Sequence, residues 1–126
     1  MPRIVLIVED NALSVEPLEV ALLRRADWEV RVVSTAQDAL ELLASSETPV
    51  AALVTDLHLR LSRIDGFELI ERVRAQPCHA HLPIIVISGD SEPDTPRRVQ
   101  ALRAAYFSKP YSPGAVRQAL ELLVDV

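Results

Sequence analysis

The chain has 126 residues, thirteen lysines and arginines against eighteen aspartates and glutamates, and a formal net charge of −5. That length suits one domain, spanning 1–126, whose core stands without disulfide or metal staples. The acidic balance argues against a general affinity for nucleic acid or acidic lipid, and 49% hydrophobic against 25% charged residues excludes intrinsic disorder.

The first apolar run, residues 4–8, is continuous rather than alternating, as in a strand buried on both faces of a parallel sheet. It stops at Glu9-Asp10, too short for a signal peptide or a membrane span. Leu18, Ala21, Leu22 and Leu23 then carry helical spacing, with Trp28 closing the helix. Pro17 conflicts with a helix running unbroken from Ala12, because its ring removes an interior hydrogen bond at a cost of about 3 kcal/mol. With Ser14 as N-cap it falls at N3, where nothing is lost, so a late start or a bend is expected. A second strand at 30–33 precedes a helix marked by Ala39, Leu40, Leu42 and Leu43. A third continuous run covers 50–54, followed by a helix marked by Phe67, Leu69, Ile70 and Val73, with Asp65 as N-cap and Glu68 at N3. Cys78-His79-Ala80-His81 reads as a surface loop, since a tetrahedral metal site wants further spaced ligands. The lone cysteine also precludes an internal disulfide, which fits a reducing cytoplasm. A fourth run covers 84–87, and Val99 and Leu102 mark a short helix with Thr95 as a cap before Pro96. A weaker strand at 105–108 leads to Ser112-Pro113, a second cap-and-proline start, and a last helix on Val116, Ala119, Leu120 and Leu123. Five β-α repeats imply an open parallel sheet with helices on both faces and right-handed crossovers.

In such a sheet the ligand site lies beyond the carboxyl ends of the strands, where the strand order reverses. Glu9 and Asp10 follow the first strand, Asp56 the third, Ser88 the fourth, and Lys109-Pro110 the fifth. Singly, each has an ordinary reading as loop charge, turn or cap; together they line one edge. Crowded carboxylates repel by roughly 4 kcal/mol per pair at 4 Å and an effective dielectric of 20, so they raise a pKa or recruit a cation. Oxygen donors without thiol or imidazole favour a hard ion such as Mg²⁺, which shares itself with phosphate. A lysine and a hydroxyl aimed at the same spot suit a phosphoryl group. The residues therefore describe a Mg²⁺-dependent phosphoryl site with one aspartate as nucleophile or acceptor.

With these residues in view, the chain resembles a response-regulator receiver domain from end to end. The resemblance rests on Val8-Glu9-Asp10-Asn11, Val54-Thr55-Asp56-Leu57, Asp65-Gly66-Phe67-Glu68-Leu69, the run from Pro83 through Ser88-Gly89, and Tyr106-Phe107-Ser108-Lys109-Pro110. It implies a CheY-like, flavodoxin-like doubly wound α/β fold, a five-stranded parallel sheet of order 2-1-3-4-5 with five helices. It implies that Asp56 accepts a phosphoryl group from a histidine kinase or histidine phosphotransfer protein. Glu9, Asp10, Asp56 and the backbone carbonyl of His58 would hold Mg²⁺. Ser88 would hydrogen-bond the phosphoryl group and Lys109 would pair with it across a cis Lys109–Pro110 bond. Tyr106 would be the switch aromatic whose rotamer follows Ser88. His58 and Asp90 would lie beside the path of attacking water and set the dephosphorylation rate.

The departures from that family lie beside the site. Residues 57–65 form a loop slightly longer than usual and without the common proline, and Ala104-Ala105 replaces the usual Gly-Ala approach to Tyr106. The stretch 90–96 delays the fourth helix on the face that receivers use to signal or dimerise, leaving phosphorylation-dependent homodimerisation open. A haloacid-dehalogenase type of hydrolase would want a second acid where His58 stands. A pseudo-receiver acting only as a binding module is opposed by the complete set Glu9, Asp10, Asp56, Ser88 and Lys109. A receiver fold consumes nearly all the residues. If this is the whole protein, it is expected to act by docking on a downstream protein, without binding nucleic acid or membrane itself; if cut from a longer chain, the output lies elsewhere.

Overall fold

A computed structural model describes residues 3–45, 47, 49–89 and 92–124. Its elements are β1 (Arg3–Val8), α1 (Ala12–Leu22), β2 (Trp28–Val33), α2 (Ala36–Ala44), β3 (Val50–Thr55), α3 (Gly66–Ala75), a 3₁₀ turn (Pro77–His79), β4 (Ile84–Ser88), α4 (Thr95–Ala101), β5 (Ala105–Ser108) and α5 (Pro113–Val124). All strand pairs are parallel and the order is β2-β1-β3-β4-β5. The doubly wound architecture expected from the β-α repetition is present.

The two-residue period of a strand divides the core into two layers. Leu6 and Val8 of β1, with Leu53, Ile84 and Val86, face Ala39 and Leu43 of α2, Ile70 and Val73 of α3, and Val99 of α4. Val5, Ile7, Val54, Ile85 and Ile87 point the other way, against Val15, Leu18 and Leu22 of α1 and Val116 and Leu120 of α5. This is why β1, β3 and β4 read as unbroken apolar runs. Both faces of each strand are covered. Each fully buried aliphatic contributes about 1.5–3 kcal/mol. Among the described residues no helix is long and apolar enough to cross a membrane.

Three local expectations are corrected. Helix α1 starts directly after Asn11 and continues through Pro17, rather than starting late at Ser14. Asn11 is the N-cap: its Oδ1 accepts from the Leu13 N–H at 3.2 Å, while Ser14 Oγ donates to the Asn11 carbonyl at 2.8 Å. Pro17 is exposed, as is Leu13, whose carbonyl loses its helical partner. Water can serve that carbonyl, so the proline is tolerated where a buried one would not be. Trp28 opens β2 rather than closing α1; it is buried in the α1–α5 layer with Arg25 stacked 4.8 Å above its ring. Its five-residue distance from Leu23 hid a tight turn, closed by the Trp28 N–H donating to the Arg25 carbonyl at 3.1 Å. Thr95 is already helical in α4, with Asp94 in the cap position and no side-chain cap bond. The other two caps form as read. Asp65 Oδ1 accepts from the Glu68 N–H at 2.9 Å and Ser112 Oγ from the Ala115 N–H at 3.2 Å.

Candidate functional site

The switch in strand order lies between β1 and β3, from which the sheet extends to β2 on one side and to β4 and β5 on the other. Val8 and Thr55 pair across the two strands, and the Asp56 N–H donates to the Val8 carbonyl at 3.3 Å. Glu9 and Asp56 therefore leave the sheet side by side. On the far side, Ser88 pairs with Ser108, and the Lys109 N–H donates to the Ser88 carbonyl at 2.9 Å. The Lys109–Pro110 peptide bond is cis. An open cavity of about 610 Å³ lies over these strand ends, lined by Glu9, Asp10, Asn11, Ser14, Asp56, His58, Arg60, Leu61, Gly89 and Lys109.

Asp56 is the centre of the arrangement. It is only 7% exposed, its Oδ2 lies 2.6 Å from Lys109 Nζ, and its Oδ1 accepts from the His58 N–H at 3.1 Å. Its backbone is held as tightly. Thr55 Oγ1 donates to the Asp56 carbonyl at 2.8 Å, and Gly66 packs against that carbonyl so closely that a Cβ there would collide with it. Burial alone would pull the Lys109 ammonium down, but the hydrogen bond and charge of Asp56, with Glu9 behind, raise it above its usual value.

Glu9 is buried, accepts from the Asn11 N–H at 3.2 Å through Oε1, and lies 3.6 Å from Lys109 Nζ through Oε2. Its carboxyl is pushed up to about 7, first by burial, then by the hydrogen bond with Asp10 and the negative charge of Asp56. Asp10 faces the same cavity, but its Oδ2 accepts from the Arg60 N–H at 3.1 Å.

The structure thus brings Glu9, Asp10, Asp56, His58 and Lys109 around one cavity. It does not draw the acids into a finished metal cage: among the described residues no three His, Cys, Asp or Glu side chains converge to hold an ion. The donor set nonetheless fits Mg²⁺, because it is all oxygen and its two buried acids, Glu9 and Asp56, share the one ammonium of Lys109. Ser88 is fully buried beneath the cavity wall, where Gly89 takes the lining position. Tyr106 lies half-buried in β5, packed toward the α2–α3–α4 layer. Asp90 lies outside the described residues. Two contributions were not foreseen from sequence, the Asn11 cap and the backbone of Arg60. The short polar side chain just before a helical pattern was the available signal for the first; the unusual length of the 57–65 loop was the only one for the second.

A family model described as the response regulator receiver domain matches residues 5–121. The chain is 33% identical to an NtrX-like response regulator of Rickettsia conorii over 111 residues, 86% of this chain but 22% of that protein. It is 28% identical to a chemotaxis protein CheY homolog of Campylobacter jejuni over 119 residues, covering 92% of this chain and 88% of the homolog. Among solved structures, a response regulator receiver protein from Pseudomonas putida superposes with a TM-score of 0.83 at 28% identity, covering 97% of this chain and 98% of that one.

Proposed function

Because the chain belongs to the response regulator receiver domain family of two-component signalling, we propose that Asp56 is its phosphoacceptor. The single observation that carries this reading is the Lys109 Nζ to Asp56 Oδ2 contact of 2.6 Å at the base of an acidic cavity, at the strand-order switch. The donor is a phosphohistidine on a histidine kinase or a histidine phosphotransfer protein. An Asp56 carboxylate oxygen attacks phosphorus, the P–N bond breaks, and the departing imidazole nitrogen takes a proton from water. The product is an acyl phosphate on Asp56.

Lys109 neutralises the acceptor at rest and follows the charge onto the transferred group. Ser88, at the end of β4, donates its hydroxyl to a phosphoryl oxygen. Glu9, Asp10, Asp56 and the His58 carbonyl are the groups that would hold Mg²⁺, with Asp10 exchanging the Arg60 N–H for the ion. Bound there, Mg²⁺ would offset the negative charge shared by the acceptor and the donor phosphoryl oxygens. Tyr106 and the segment after β4 report the change to a downstream protein. The domain catalyses only its own phosphorylation and dephosphorylation, in the cytoplasm with its kinase.

The test is incubation with Mg²⁺ and acetyl phosphate or beryllofluoride, read by intact mass. One adduct is expected, absent from Asp56→Asn and absent in EDTA. No adduct at any Mg²⁺ concentration would leave a pure binding module, and sustained turnover of many phosphoesters would leave a hydrolase. Exchange of His58 for other side chains is expected to change the rate at which the adduct decays; an unchanged rate would remove His58 from the water path.

A further inference from the structure

The loop between β3 and α3 is long, yet it is pinned at every few residues. Leu57 and Leu59 are buried at 2% and 5% exposure. Ser62 Oγ accepts from the Ala36 N–H at 2.8 Å, which ties the loop to the start of α2. The Ser62 N–H donates to the Leu59 carbonyl at 3.0 Å, and the Gly66 N–H donates to the Leu57 carbonyl at 2.9 Å. Between these anchors stands Arg60, its own N–H donating to Asp10 Oδ2 at 3.1 Å. The backbone of Arg60 is therefore fixed at the rim of the cavity. Its side chain is exposed and, among the described residues, has no carboxylate or hydrogen-bond partner.

The charges of the cavity give that arginine a task. Glu9, Asp10 and Asp56 oppose one ammonium, Lys109, which is already engaged by two of them. Even with a divalent cation in place, the floor is only neutral toward an approaching dianion. Arg60 is the other lysine or arginine lining the cavity. A guanidinium presents a planar fork that matches phosphoryl oxygens two at a time. Resting on the phosphoacceptor reading above, we propose that Arg60 is an anion-binding residue of the donor entrance. Its guanidinium engages the phosphoryl oxygens of an incoming donor and sets how tightly the site takes it.

Substitution at this position isolates the side chain, because the anchors that hold the loop, through Ser62 and Gly66, do not involve it. Phosphorylation of Asp56 by acetyl phosphate at saturating Mg²⁺ is followed by intact mass across donor concentrations. Arg60→Ala is expected to raise the half-saturating acetyl phosphate concentration about three- to tenfold, with the saturating rate unchanged. Arg60→Lys should recover part of the loss and Arg60→Glu should deepen it. Added NaCl should slow the wild type more than Arg60→Ala at subsaturating donor. Melting temperature should not move, and Mg²⁺ affinity measured by calorimetry without donor should not fall, since loss of a neighbouring cation cannot weaken the binding of a divalent ion. Equal half-saturation in wild type and Arg60→Ala, with Asp56 phosphorylated in both, overturns the Arg60 assignment alone. A lower saturating rate accompanied by a lower melting temperature overturns it in favour of a loop-supporting role. Absence of any Asp56 adduct in the wild type overturns the phosphoacceptor reading and this inference together.

Discussion

Lys109 serves two carboxylates at once, and the one it serves less well carries a pH signature. Glu9 sits 3.6 Å from the ammonium while Asp56 sits at 2.6 Å. Burial first, then Asp10 and Asp56, lift the Glu9 carboxyl from 4.5 to about 7. Its folded value is above its unfolded one, so the native state keeps a proton that the unfolded chain releases between those limits. The stabilisation from Glu9 is therefore complete below about pH 4.5 and is lost as the pH rises through about 7. Urea unfolding in EDTA at a series of pH values should show Glu9→Gln losing a pH-dependent component of roughly 1–3 kcal/mol. An identical pH slope in wild type and variant would exclude Glu9 as its source. Added Mg²⁺ should reverse the wild-type slope in this range, because an ion held by Glu9 requires the ionised form.

Helices α1 and α3 show opposite tolerance to a single residue. Pro17 interrupts the hydrogen-bond ladder of α1 on its exposed side, so Pro17→Ala should restore one bond and relieve the ring clash. The gain is offset in part by greater freedom of the unfolded chain, leaving about 1–2 kcal/mol of stabilisation in thermal unfolding. Gly66 is the reverse case. A Cβ there would clash with the Asp56 carbonyl oxygen and come within 2.7 Å of Leu57 Cα, backbone atoms that cannot swing aside. Gly66→Ala should cost about 2 kcal/mol or more and shift the Asp56 and Leu57 amide resonances, since α3 and the acceptor share that contact. A variant as stable as the wild type would show that the α3 start yields freely.

The molecule closes where its first and last helices meet. Arg25, after α1, pairs with Asp27 at 2.9 Å and with Glu121 of α5 at 2.8 Å, and Arg117 reaches Glu121 at 3.3 Å. Arg25 also covers the ring of Trp28, whose buried indole N–H has no partner among the described residues. Arg25→Ala should cost about 1–2 kcal/mol through lost packing as well as lost charge, with faster amide exchange in α5. Unchanged α5 protection would mean that Leu120 and Val116 hold the helix alone. The alternation of strands and helices, and the edge on which Glu9, Asp10, Asp56, Ser88 and Lys109 gather, were legible in the chain because continuous apolar runs bounded by helical spacing imply a parallel sheet, its order 2-1-3-4-5 being what the family resemblance implies. In that topology every strand ends on the same side. Trp28 and the N-cap read at Ser14 were misplaced because a turn and a cap depend on which backbone groups lack partners, and that becomes visible only when the neighbours are in position. The same holds for the proton on Glu9, the Arg60 N–H on Asp10 and the collision that forbids a side chain at Gly66. Local pattern decides elements and their order; burial and contact between residues far apart in the chain decide where charge is short and which way each carboxylate turns.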